Sequence, residues 1–590
     1  MKFSVTRYFP AIFGPAFFST LFLFSFQGIC FGKITKTPEI IEAANSGDGK
    51  KLALLLKNGA DRNETDRFGR TALIAGSAIG SLHIVDLLLK NGADPGSVDK
   101  DGNDALITAS LSGHTAIVRV LVQRGADVNR QNRFGVSALM NASQNGFLKI
   151  AEILLEKKAD PLKKNSDGKD SLILASQKGN LSLVRLLLKN GADVDSRDNF
   201  QMTPLMYAAM WGHLETVRLL LANAANVHEK TMNEGTALVM AAEEGHIGVL
   251  SALLDNGAGS APGGVRELWT ALRMSVYRGH EATVQVLLKR GADINHQGTD
   301  GSSVLMVAME KENRRLVDLL LEKGADPNLQ DNAGVTALIA AAYTGQVEIG
   351  KELISRGADV NLSENNGWSP LIASLIKKEV GFARYLVEKG ADVSVRDTNG
   401  DSPLIYAVKT GDIGVVRLLL KKGADINSRG KLGRTPILLA AGNGYEEITS
   451  FLVQKGVDVN AADDIGRTGL ILAAKNGSFA IAKVLVGGGA DIHAEQKNGV
   501  TPFMAAIYSG KKDIVAFLLK KGAKINRPAA NGITPLMVAA SKGYGDVAMF
   551  LLENGADRNV TLKDGRTALS LAEKKKHPDI VELLKGETGR

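Results

Sequence analysis

The chain has 590 residues, a net charge of +8 and one cysteine, Cys30. A single thiol excludes a disulfide framework as a source of stability. The positive charge raises nucleic acid or an anionic surface as partners. However, the cations Lys57, Lys90, Arg124, Lys189, Lys323, Arg356, Lys389 and Lys422 recur at one place in a repeat, the end of a helix. The helix dipole favours a cation there, so no nucleic acid is expected.

At the N-terminus, Lys2 and Arg7 precede an apolar run from Phe9 to Phe26. A positive stretch followed by an apolar one is the pattern of a secretory signal peptide. Residues 1–32 read as that signal, cut after Gly32, with 33–37 as a short linker. The alternative is an uncleaved anchor, because the run from Phe9 to Phe31 is long enough to span a bilayer. Both place the rest of the chain outside the cytoplasm, in the periplasm and cell envelope or secreted. Cys30 reads as an ordinary signal residue, since a lipid-modified cysteine needs a small residue before it and Ile29 stands there.

From residue 38 to 585 a 33-residue period takes over. The slot that opens each copy holds Thr71, Asp104, Ser137, Asp170, Thr203, Thr236, Thr270, Ser303, Thr336, Ser369, Ser402, Thr435, Thr468, Thr501, Thr534 and Thr567. Only the step from Thr236 to Thr270 is 34 residues. Each of these side chains carries an oxygen that can cap a helix N-terminus. A fixed period of this length means stacked supersecondary units in a solenoid.

The unit from Thr336 to Leu362 shows the pattern. Thr336 caps a short helix over Ala337–Ala342, and Gly345 stops it. Val347, Ile349, Leu353 and Ile354 give a second helix by spacing. Gly357 then takes the left-handed conformation after its end. Pro204, Pro370, Pro403, Pro436, Pro502 and Pro535 fall just inside the first helix, where a missing N–H costs nothing. The second Gly slot is broken by Lys158 and Ala224, which implies about a kcal/mol of strain at each. Gly259–Glu267, in the 34-residue copy, reads as an irregular loop.

These residues resemble the ankyrin repeat, as in Gly69-Arg70-Thr71-Ala72-Leu73, Ile84-Val85-Asp86-Leu87-Leu88-Leu89 and Gly92-Ala93-Asp94. The resemblance covers about 17 repeats over 38–585 and implies an all-α ankyrin-repeat solenoid with short turns or β-hairpin fingers. Residues 38–70 and 567–585 read as terminal capping repeats, and 586–590 as a tail. One departure is systematic: the family's His after the Leu is Ile74, Ile107, Met140, Ile173 or Met206 here. The hydrogen bond of that His is expected to be absent, with apolar packing in its place.

The resemblance also implies a binding groove, lined by the residues just before each cap and the seventh and eighth after it. Those slots hold Phe200, Met210, Trp211, Trp269, Tyr277, Tyr343 and Trp368. Large aromatics at such positions suit interface anchors. His114, His213, His246 and His280 occupy one repeat slot and need no chemistry to explain them. No metal-ligand spacing, thiol nucleophile or phosphate loop is present. The expected protein is a monomeric, non-catalytic scaffold without cofactor, which binds a protein partner along that groove. The alternative is a membrane-anchored spacer or tether with no groove ligand.

Overall fold

The computed structural model describes residues 37–586 apart from Ala261. The expected signal or anchor, Cys30 and the last four residues of the tail lie outside the described residues. Two compact units are present: Met1–His296 with Glu310–Leu316, and Gln297–Met309 with Val317–Arg590. Each is described by itself.

The described residues form 34 α-helices and no strand. The hairpin fingers are therefore turns; isolated bridges at Gln131–Ser137 and Ala462–Thr468 are the only β-type pairings among the described residues. In the second unit Thr336 accepts the Ile339 N–H at 3.2 Å, and the helix Ala337–Thr344 runs to Gly345 at φ 76°. In the first unit Asp104 caps in the same way, with the Ile107 N–H at 2.7 Å. Every slot residue caps through its side chain except Thr270 and Thr435. The slot prolines all open their helices as expected. Neither helix of a pair is long enough to hold alone. Leu338 and Leu353, both 0% exposed, show that each is held by packing on its neighbours.

The turns are joined by hydrogen bonds from one repeat to the next. Lys100 donates its N–H to Phe68 O at 2.8 Å, Arg133 to Asp101 O at 2.9 Å and Asn199 to Asp167 O at 3.0 Å. The second unit repeats this with Asn365 to Ala333 O at 2.9 Å and Thr398 to Asn366 O at 2.9 Å. A second ladder runs through asparagines: Asn328 Oδ1 accepts the Asp359 N–H at 2.7 Å, and Asn361 Oδ1 the Asp392 N–H at 2.8 Å. The slot histidines make a third. His114, His213, His246 and His280 each place Nε2 within 2.9–3.2 Å of a carbonyl in the preceding repeat. Asn180 and Gln346 do the same with their amides.

Four expectations meet the structure differently or in detail. Lys158 and Ala224 do sit at φ 63° and 64°, in the left-handed region. The Gly259–Glu267 loop is a correction: Gly264–Arg278 is one helix of 15 residues, and Thr270 lies inside it. Gly259 and Gly263, at φ 81° and 92°, turn the chain early. Glu267 then holds the turn by accepting the Gly259 N–H at 3.0 Å. Thr270 spends its hydroxyl on Arg266 O at 2.7 Å instead of capping. Finally, the family's His bond is not everywhere lost. Met140 and Met206 turn Sδ back to the N–H of Ser137 and Thr203, each at 3.5 Å.

Candidate functional site

In the first unit the turn before Thr203 is closed by Asp198, whose Oδ1 accepts the N–H groups of Phe200 and Met202, both at 2.9 Å. That turn lifts Phe200 out, 53% exposed. Thr203 caps the helix Pro204–Met210, and Trp211 follows its end, 55% exposed and in contact with no other ring among the described residues. Met210 is half-buried at the last helical position. Beneath them Tyr207 is buried; its hydroxyl donates to Asp198 Oδ2 at 2.7 Å, and Lys169 Nζ stands 4.7 Å over its ring. Burial and the Asp198 charge push the Tyr207 phenol far up.

Trp269 departs from expectation. It lies inside the 15-residue helix and is 8% exposed. His296 stands 5.3 Å from its ring and Arg273 5.4 Å from it. The indole N–H is buried without an acceptor. Extending the helix through residues 264–269 turned a turn residue into a packed one, so a partner can reach little of it. Tyr277, in the last turn of the same helix, is half-buried with Lys311 Nζ 3.6 Å from its ring centre. A recess of about 360 Å³ opens beside the start of that helix, against Lys230 and Glu234. Those two charges pair with each other at 2.7 Å.

In the second unit the structure does bring two expected residues together. Tyr343 and Trp368, both half-buried, lie 5.7 Å apart at 56°. Tyr343 donates its hydroxyl to Glu364 Oε1 at 3.3 Å, and Trp368 its indole N–H to Asp397 Oδ2 at 3.2 Å. Tyr406 donates to the same Asp397 oxygen at 2.7 Å. Lys409 pairs with Asp401 at 2.8 Å and stands 4.4 Å over the Tyr406 ring. Burial raises the Glu364 carboxyl. Burial also pushes on Asp397, but the donors Tyr406, Asp401 N–H, Trp368 and Asn399 N–H outweigh it and hold that carboxyl low.

A family model for ankyrin repeats, in copies of three, matches residues 40–132, 139–231, 225–298, 305–397, 359–430, 390–463, 462–529 and 527–589. The chain is an ankyrin-repeat protein. No curated protein matches it. Membership indicates a protein–protein interaction scaffold, of a kind that is generally non-catalytic. Among the described residues no group of three or more His, Cys, Asp or Glu is placed to hold a metal. Nor is any helix there long and apolar enough to cross a membrane.

The ankyrin groove positions therefore divide by environment. Phe200 and Trp211 are open, Tyr343 and Trp368 form a hydrogen-bonded pair, and Trp269 is packed away. Sequence reasoning missed Tyr207 and Tyr406, the fourth residues after their caps, together with the acids that hold them. The signal was present: Asp198 and Asp397 stand five before Thr203 and Ser402, so each tyrosine reaches back one turn to an acid of fixed spacing.

Proposed function

We propose that this array is a non-catalytic scaffold, exported to the cell envelope or beyond, that holds a protein partner by aromatic side chains on its turns and first helices. One observation carries the reading: Phe200 and Trp211 are both more than half exposed, in a repeat whose Leu205, Tyr207 and Leu220 are buried. Solvent-facing aromatics on a rigid scaffold are the usual anchors of an interface. Export rests on the positive and apolar N-terminal residues alone.

The test is affinity capture from the envelope fraction of the source cells. The baits are the full chain and its Phe200→Ala/Trp211→Ala/Trp368→Ala variant. The expected result is a partner held by the first and weakened by about 2 kcal/mol or more in the second, with unchanged far-UV dichroism. The same partners on both would move the site off these residues. N-terminal sequencing of the purified protein addresses export: a chain starting at Lys33 supports a cleaved signal, and one starting at Met1 an anchor.

A further inference from the structure

We propose that the Tyr343 and Trp368 pair of the second unit, braced beside Tyr406, seats a cationic side chain, an arginine or lysine on a basic segment of the protein partner. This deepens the scaffold reading and rests on it. The polar end of each ring is committed to a carboxylate: Tyr343 to Glu364, Trp368 and Tyr406 to Asp397. Those bonds fix the rings in place, and a donor bonded to an anion enriches its own ring in electrons. An electron-rich face is what attracts a cation.

The same chemistry is satisfied from within elsewhere in the chain and at Tyr406 itself, whose ring Lys409 covers at 4.4 Å. Lys311 covers Tyr277, Lys169 covers Tyr207, Arg273 covers Trp269 and Arg417 covers Phe451, all within 3.6–5.4 Å. No cation of the described chain covers Trp368, although the ring is half-exposed. The carboxylates agree. Glu364, Asp397 and Asp401 are 5–7% exposed. Of these only Asp401 has an ion-pair partner, Lys409. Two buried anions under an aromatic surface leave a local negative field on a protein of net charge +8. A buried anion without a counter-charge is costly. A guanidinium or ammonium group from outside would lie against the rings and supply that counter-charge.

The test uses the full chain and a fluorescently labelled peptide of alternating arginine, glycine and serine, read by anisotropy at physiological salt. Its control is the same peptide with citrulline, the neutral isostere, in place of arginine. The expected result is that the arginine peptide binds about tenfold more tightly than the citrulline one. Glu364→Gln and Trp368→Ala should each remove that preference, with helicity intact, while the remote Asp513→Asn leaves it unchanged. Equal binding of both peptides would overturn the proposal. So would a preference that survives Glu364→Gln, or one that Asp513→Asn lowers as much, which would mark general charge attraction. A partner lost by the Trp variant in capture but no arginine preference here would sink this inference and leave the scaffold reading standing.

Discussion

The repeat at Thr336 and the repeat at Thr270 share a slot residue and a nearly equal length, yet they fold differently. Thr336 caps a helix, the turn before it is closed by Asp331, and Asn365 of the next turn bonds back to Ala333. Thr270 sits mid-helix, and Arg266 spends its N–H on Gly263 O within its own segment. The last turn-to-turn bond before it, Met232 to Phe200 O, has lengthened to 3.4 Å. One inserted residue, with Val265 and Leu268 where the Thr336 repeat has Asp331 and Gly334, accompanies the trade of a β-turn for helix. The difference teaches that the cap residue permits the repeat but does not enforce it.

The largest effect that separates the two repeats is at Trp269. Trp269→Ala should cost about 3–5 kcal/mol, as for other buried aromatics, read as a fall in the urea midpoint. Trp269→Phe should recover most of it, because it keeps a ring beside His296 and deletes an N–H that has no acceptor. A loss below about 1 kcal/mol for the alanine variant would return Trp269 to the surface as an anchor.

Next comes a comparison within the regular repeats, between an acid cap and a hydroxyl one. Burial raises Asp104 to about 6, against the Ile107 N–H and the Arg130 charge, which lower it. Its folded value lies above the ordinary 3.8, so the folded state holds the proton more tightly. That contribution is present below pH 4 and is lost as pH rises through about 6. Asp104→Thr should therefore gain on the wild type between pH 4 and pH 7, by up to about 3 kcal/mol. Parallel stability curves for the two proteins would show that Asp104 ionises freely.

The smallest effect is the most discriminating. Thr336→Ala should cost about 1 kcal/mol through the lost cap. Thr270→Ala should be neutral or slightly stabilising, since alanine suits a helix interior better than threonine. Equal losses at both would mean that Thr270 caps after all.

The solenoid was legible because it is written many times over: cap, proline, glycine and leucine recur at fixed spacing, and each copy supports the others. Thr270 misled for the same reason, as its spacing fitted a slot whose local chemistry had gone. The missing Gly two before it, where Leu268 stands, was the warning. The candidate site was legible only as positions. Exposure at Phe200 and burial at Trp269 depend on how the chain turns before the cap, which periodicity does not encode. The pairing of Tyr343 with Glu364, and of Trp368 with Asp397, joins neighbouring repeats and so stays hidden from a reading taken one repeat at a time.

The burial of Trp269 also gives the protein its own optical channels. An indole packed against the chain emits at shorter wavelength than one in water, such as Trp211. Trp368, bonded to a carboxylate beside Tyr343, should respond to whatever settles on that pair. Melting of the irregular helix and arrival of a ligand can thus be followed as separate colours, without a label.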